Sequence, residues 1–284
     1  MSLSQDLLKQ LDEIAMIESL TEVFESIASL RIRQIKDRVV SSKAFFTELW
    51  TIYSQLRVDP RDRLRARAKA GSKRDKNAII IITSSGSLSG EIDKKIIDRV
   101  LTEIDRSRDD IIVIGARGVV LLAEHKIKPV KVFDLPDVTK SIDVSPVVRL
   151  IDQYKSTTVY YQTFISLALQ DVGKIELLLA ARQLGDEQKK TEDKKELIYT
   201  SDYLFEPSLE EVLTYLESMM LGVALTQVIL ESRLAQYASR FTAMTVANNK
   251  AHEMRSDTKL KYHSAKRAER DEAAHELIYA RSRL

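Results

Sequence analysis

From Val223 to Leu284 the chain contains neither Gly nor Pro, so 62 residues pass without a strong helix breaker. At 1.5 Å per residue they predict a helix of about 93 Å, more than a compact domain of this size contains. Its start is marked by Ser208-Leu209-Glu210-Glu211 after Pro207, a capping box in which the Ser208 hydroxyl accepts from the Glu211 backbone N–H. Leu230, Leu234, Tyr237, Phe241 and Met244 step by 4, 3, 4 and 3, and Ala247, Ala251 and Met254 follow after a single 3-3 break. This is a coiled-coil repeat with a local stammer. The next positions, Thr258, Lys261, Ala265, Ala268 and Glu272, are too small or too polar for hydrophobic pairing. The last thirty or so residues are therefore expected to stand without a helical partner.

All eight Gly and all five Pro lie between Pro60 and Gly222, which divides the chain into helical arm, compact insert and helical arm. In the first arm Ile35, Val39, Ser42, Phe46, Leu49, Tyr53 and Leu56 form a second seam, and Ile17, Leu20, Phe24 and Ile27 an earlier one that drifts out of phase near Arg31. Matched seams at opposite ends of one chain predict an antiparallel coiled coil. The expected segments are an N-terminal coiled-coil helix at 1–59, a basic connector at 60–76, an α/β domain at 77–207 and a C-terminal helix at 208–284. The second arm is the longer, so it is expected to overhang.

With 44% hydrophobic residues, 30% charged residues and a net charge of +2, the chain can bury a core and is not compositionally disordered. It contains no uninterrupted apolar run of 18 residues and no charged-then-apolar start, so neither export nor membrane spanning is expected. Without Cys it has no disulfide, thiol switch or thiolate metal site. Between Arg61 and Lys76 eight basic residues stand against Asp62 and Asp75. Such a run could grip the phosphates of nucleic acid or lipid, but no aromatic residue interleaves to stack on bases, and a solvated connector explains it as well.

The insert alternates strand-like and helical stretches. Ala78–Thr83, Ile111–Gly115, Val130–Phe133, Thr158–Ala168, Lys174–Leu179 and Leu197–Thr200 read as strands, Asp93–Ile104 and Ser145–Tyr154 as helices, and Gly185–Lys195 as a surface loop. This order implies a Rossmann-like α/β layer with a largely parallel sheet. Ser84 to Gly90 lacks the spacing of a dinucleotide fingerprint and the Lys-Ser/Thr of a P-loop, so it reads as a structural turn, as does Ile114 to Gly118. His125, His252, His263 and His275 are scattered, and Glu210-Glu211 is explained by the helix start. No catalytic, cofactor-binding or metal site is expected.

Several motifs resemble the gamma subunit of F-type ATP synthases, the central rotor shaft. The strongest runs from Glu231-Ser232-Arg233 through Arg240-Phe241-Thr242-Ala243-Met244 to Ala247 and Ala251. Leu204 to Ser208 with Glu210-Glu211 is similar to the family's F-E-P-S-x-E-E. Thr83-Ser84 with Leu88-Ser89-Gly90, Ile114-Gly115 with Gly118, and Leu20-Thr21 through Ile27-Ala28 resemble further family motifs. Ala235-Gln236, Ser85 and Asp271-Glu272-Ala273 depart from the pattern, as in a divergent member.

The resemblance implies a proton-translocating synthase in which this chain turns inside a ring of alpha and beta subunits without catalysing the reaction. It implies contacts of the α/β foot with an epsilon subunit and a membrane rotor ring, and peripheral placement at the cytoplasmic face of the plasma membrane. Lys266 and Arg267 fall where the family meets the catch loops of the beta subunits. Glu231 and Arg240 fall at the shaft neck, and Leu277, Ile278, Tyr279 and Leu284 at an apolar bearing tip. Other classes remain open: the shaft of a soluble ATP-driven motor without a proton channel, a basic coiled-coil scaffold or nucleic-acid-binding protein, and a nucleotide-binding α/β enzyme.

Overall fold

A computed structural model describes residues 3–55, 76–86, 91–137, 142–177, 206 and 208–281. The connector at 61–75, the second half of the Ser84–Gly90 turn, the 185–195 loop, the strand expected at Leu197–Thr200 and Leu284 lie outside the described residues. The expected segment boundaries at 59/60 and 207/208 also fall on such residues.

The elements in chain order are α1 (Leu3–Gln55), β1 (Asn77–Ile82), α2 (Ile92–Glu103), β2 (Asp109–Ile114), α3 (Ala116–Glu124), β3 (Lys131–Phe133), α4 (Ser145–Ile151), β4 (Thr157–Phe164), β5 (Gln170–Glu176) and α5 (Leu209–Arg281). The chain forms two compact units. One comprises Met1–Ser29 with Arg240–Leu284, the other Leu30–Ser239.

The second unit contains a five-stranded sheet in the order β3-β2-β1-β4-β5. Four strands are parallel, and β5 is antiparallel on the edge beside β4. Alternation along the strands assigns the two faces. Ile80, Ile82, Ile112, Ile114 and Val159 pack against α4 and against Leu221, Leu225, Val228 and Ile229 of α5. Ile79, Ile81, Ile111 and Val113 pack against Ile96, Ile97 and Val100 of α2 and Leu121 and Leu122 of α3. The result is the expected Rossmann-like domain with helices on both sides.

Helix α3 begins where the sequence predicts only a turn. Gly115 has φ +110°, and a Cβ there would lie 2.1 Å from the Thr83 carbonyl oxygen, so only glycine lets the chain turn from β2 into α3 this close to β1. At Gly118 the backbone N–H donates to Thr83 Oγ1 at 2.8 Å. The strands expected at 158–168 and 174–179 are in fact one hairpin, turning after Phe164 and returning from Gln170.

In this unit α1 pairs with α5 through apolar contacts, Phe46 and Leu49 with Leu213 and Met220, and Ile35 with Leu230 and Tyr237. The numbers on α5 rise as those on α1 fall, which establishes the antiparallel direction. The Ser208 cap forms as predicted, with the Glu211 N–H donating to Ser208 Oγ at 3.2 Å. By length and composition the stretch Glu211–His275 includes a window apolar enough to cross a membrane. Leu213, Met220, Leu221, Leu225, Val228 and Ile229 of α5 are buried within the unit.

In the first unit the same helices add polar contacts at the seam. Thr21 Oγ1 and Asn248 Oδ1 are 3.1 Å apart, Arg255 donates to Glu18 Oε2 at 2.7 Å, and Ser4 Oγ donates to Glu269 Oε2 at 2.7 Å. Three expectations are corrected here: the N-terminal seam, the stammer and the unpaired last thirty residues. The inward residues of α1 are Ile14, Glu18, Thr21 and Ala28, whereas Ile17, Leu20 and Ile27 are exposed, so the N-terminal seam is not the apolar one. On α5 the inward positions Phe241, Met244, Asn248, Ala251, Arg255, Thr258, Tyr262, Ala265 and Glu269 keep unbroken steps of 3 and 4. No stammer is needed, because Asn248 and Arg255 stand in phase where hydrophobicity selects Ala247 and Met254. Helical pairing accordingly reaches Glu269, well past the point at which the apolar seam fades.

Candidate functional site

What the described residues of the first unit present is a surface with open recesses. Met16, Leu20, Val23 and Ile27 on α1 step by 4, 3 and 4 and are 43% to 66% exposed. This spacing keeps them on one side of the helix, away from the inward residues Ile14, Glu18 and Thr21. Helix α1 is therefore apolar on a face that no part of the described chain covers. On α5, residues 255–270 hold six basic side chains against Asp257 and Glu269. Lys266 lies 3.1 Å from the Tyr262 hydroxyl, with its ammonium 5.4 Å from the centre of that ring. His263, Lys266, Arg267 and Arg270 with Tyr262 line one shallow recess. The structure thus brings Lys266 and Arg267 together on an exposed basic face.

Leu277 and Ile278 are 73% and 65% exposed near the end of α5. Tyr279 is helical, but its side chain, like the whole of Leu284, lies outside the described residues. The two neck candidates fall in different units. Glu231 accepts from the Tyr161 hydroxyl at 3.5 Å, and burial raises its pKa, opposed by hydrogen bonds from Tyr161 and the Phe164 backbone. Burial followed by the Glu231 charge pushes the Tyr161 phenol up. Arg240 is half-buried in the first unit.

Two polar clusters escape sequence reasoning. Glu18 is 5% exposed and lies 2.8 Å from His252 Nδ1 as well as in its ion pair with Arg255. A glutamate at a coiled-coil seam position, with a cation in phase on the other arm, is a readable signal once the register is known. The second cluster closes the carboxyl end of the sheet. There β1 and β4 are neighbours whose connecting helices lie on opposite faces, the place where open α/β sheets bind ligands. In this chain Ser84, Asp93 and Gln162 fill it, and Ser232 and Gln236 of α5 reach in to hydrogen-bond Gln162. Among the described residues no group of three or more His, Asp or Glu side chains is placed to hold a metal ion.

The family model described as ATP synthase matches residues 4–277. The chain belongs to the ATP synthase family. Within this family it is 22% identical to the ATP synthase gamma chain of Mycoplasmoides gallisepticum and 23% identical to that of Lachnoclostridium phytofermentans, with 98% of each chain covered in both cases. Among solved structures of the family, the rotor of the Euglena gracilis mitochondrial ATP synthase has a chain of the same fold. It has a TM-score of 0.63 and 13% identity, over 93% of this chain and 98% of that one. A chain from the central stalk and c-ring of the Tetrahymena thermophila mitochondrial enzyme gives a TM-score of 0.56 at 17% identity, over 80% and 99%. The family's fold of long terminal helices around a central sheet is the one found here.

Proposed function

We propose that this chain is the central-stalk gamma subunit of a rotary F-type ATP synthase, turning inside a ring of alpha and beta subunits. The full-length family match carries this reading, and the surface of the first unit fits it. The chain catalyses nothing itself. Each of three catalytic sites on the beta subunits meets a different side of an asymmetric shaft, so shaft angle and nucleotide affinity are linked reciprocally. The α/β domain rests on an epsilon subunit and a membrane rotor ring, so the complex lies at the cytoplasmic face of the membrane and couples proton flow to ATP synthesis or hydrolysis.

Magnitudes decide which contacts matter. Driving a site from one conformation to the other, 1:99 to 99:1, takes about 5.5 kcal/mol of differential contact. Exposed ion pairs from Lys266 and Arg267 to acidic beta loops supply roughly 0–1 kcal/mol each. Covering Met16, Leu20, Val23 and Ile27 supplies roughly 1–2 kcal/mol each. The apolar face of α1 dominates, while the charges set the angle at which it engages.

Co-expression with the alpha and beta subunits of its host, followed by size-exclusion chromatography, tests the reading. One copy per ATP-hydrolysing ring is expected, with activity or rotation impaired when 254–284 are deleted. A chain that elutes alone beside an indifferent ring would sink it.

A further inference from the structure

The polar cluster at the end of the sheet can be assigned proton by proton. Ser84 Oγ lies 2.7 Å from the Gly86 carbonyl oxygen and 2.5 Å from Asp93 Oδ2. A hydroxyl has one proton to donate, and a carbonyl can only accept. If Asp93 were ionised, one of these two short oxygen–oxygen contacts would hold no proton. A proton on Asp93 Oδ2 satisfies both, with the acid donating to Ser84 and Ser84 donating to Gly86. Asp93 Oδ1 is left to accept from the Ser84 backbone N–H at 3.2 Å and from Gln162 Nε2 at 2.6 Å. Gln162 Oε1 then accepts from the Ser232 hydroxyl and from Gln236 Nε2, the latter at 3.2 Å.

We propose that Asp93 is a neutral carboxylic acid in the folded chain. It is the centre of a hydrogen-bond chain from Gly86 to Gln236 that fixes the rotational setting of α5 on the sheet. The purpose of this joint rests on the rotor reading: it transmits rotation between the α/β domain and the shaft helix. Apolar contacts made by Leu221, Leu225 and Val228 hold α5 to the sheet without direction and permit it to slip about its axis. Directional bonds to Ser232 and Gln236 do not. Burial raises the Asp93 pKa in spite of the hydrogen bonds from Ser84 and Gln162 and the field of Arg117. Arg117 on α3 is the charged group that bears on the carboxyl. From β1, β4 and α5 the cluster presents Ser84, Gln162, Ser232 and Gln236, none of which titrates, and Glu231 is engaged with Tyr161 and Phe164.

Asp93→Asn replaces the acid O–H with an amide N–H and keeps the accepting oxygen. In the full chain its thermal midpoint should match or exceed that of the wild type at pH 8. The difference should shrink as pH falls, because a carboxyl with a raised folded pKa restores stability on protonation. The infrared band of a protonated buried carboxyl should be present in the wild type and absent from the variant. An Asn variant less stable at every pH, or no such band near neutral pH, would overturn the neutral acid.

Ser232→Val tests the joint in the whole complex in inverted membrane vesicles. ATP hydrolysis should persist while ions pumped per ATP fall severalfold, and Asp93→Asn should keep both. A parallel fall, or no fall, would overturn the joint. Failure of the wild-type chain to enter the ring would overturn the rotor reading and the purpose of the joint, while the infrared band would still decide the acid.

Discussion

The same two helices meet in both units by opposite chemistry. In the second unit the contact between α1 and α5 is made by Phe46, Leu49, Leu213, Met220, Ile35 and Leu230, all buried and apolar. In the first, polar pairs stand at the seam, Glu18 with Arg255, Thr21 with Asn248, and Ser4 with Glu269, among the buried apolar residues Ile14, Ala28, Met244 and Ala251. Apolar burial stabilises without specifying much, whereas polar pairs at seam positions specify register and add little net stability. The helices are held together beside the sheet and kept in step farther along. Met16, Leu20, Val23 and Ile27 of the first unit are left for its outer face.

The largest expected effect tests the stabilising half of this contrast. Phe46→Ala opens a cavity in the apolar contact and should cost about 3–5 kcal/mol, read as a lowered urea midpoint with unchanged slope. A loss below about 1 kcal/mol would show that the apolar contact does not hold the helices. Next comes the outer face, where Leu20→Ser with Val23→Ser should leave the isolated chain within about 0.5 kcal/mol of wild type. In the ring the same pair should weaken assembly or ATP turnover more than Lys266→Gln with Arg267→Gln does. The reverse order would mean that charges, not apolar cover, drive the shaft.

A smaller effect sharpens the polar half. Glu18→Leu places an apolar side chain at a seam position between Ile14 and Thr21, and Arg255 and His252 remain half-exposed and hydrated. Stability should stay level or rise by about 1 kcal/mol, with hydrogen exchange or cross-linking reporting a looser register. A loss of about 3 kcal/mol would make the ion pair a source of stability rather than of specificity.

The smallest effect lies on the α/β domain. Hydrogen bonds from Lys174, Tyr160 and Arg99 lower the Glu103 pKa to about 2. A depressed carboxylate adds stability above its ordinary pKa, and the domain loses that increment as pH falls from about 4.5 to about 2. Glu103→Gln should flatten the pH dependence of the thermal midpoint over this window, modestly because the site is partly exposed. An unchanged slope would assign the acid sensitivity elsewhere.

The same contrast explains what could be read in advance. Ile35, Phe46, Leu49, Leu230 and Tyr237 announce their seam because apolar spacing and actual contact coincide. Glu18, Thr21, Asn248 and Arg255 do not, because a pattern of hydrophobicity cannot see a polar seam. Ile17, Leu20 and Ile27 then mislead, being apolar for an outward reason. The strands of the sheet core were legible from their isoleucine runs, but helix α3 was hidden behind two glycines that look like a turn. Lys266 and Arg267 were chosen from a motif position and Leu277 and Ile278 from their place near the helix end, and the structure shows all four exposed. The cluster around Asp93 was out of reach, since Ser84, Asp93, Gln162 and Ser232 share no spacing and meet only when the sheet has formed.

The bond between Ser4 and Glu269 joins residues 265 positions apart, and this has a consequence for biosynthesis. At about 5–20 residues per second, α1 leaves the ribosome roughly 13–50 s before the part of α5 it must meet. Throughout that interval it is a helix with two apolar sides and no companion. A chaperone footprint on ribosome-bound chains is therefore expected to begin on α1 rather than on the sheet.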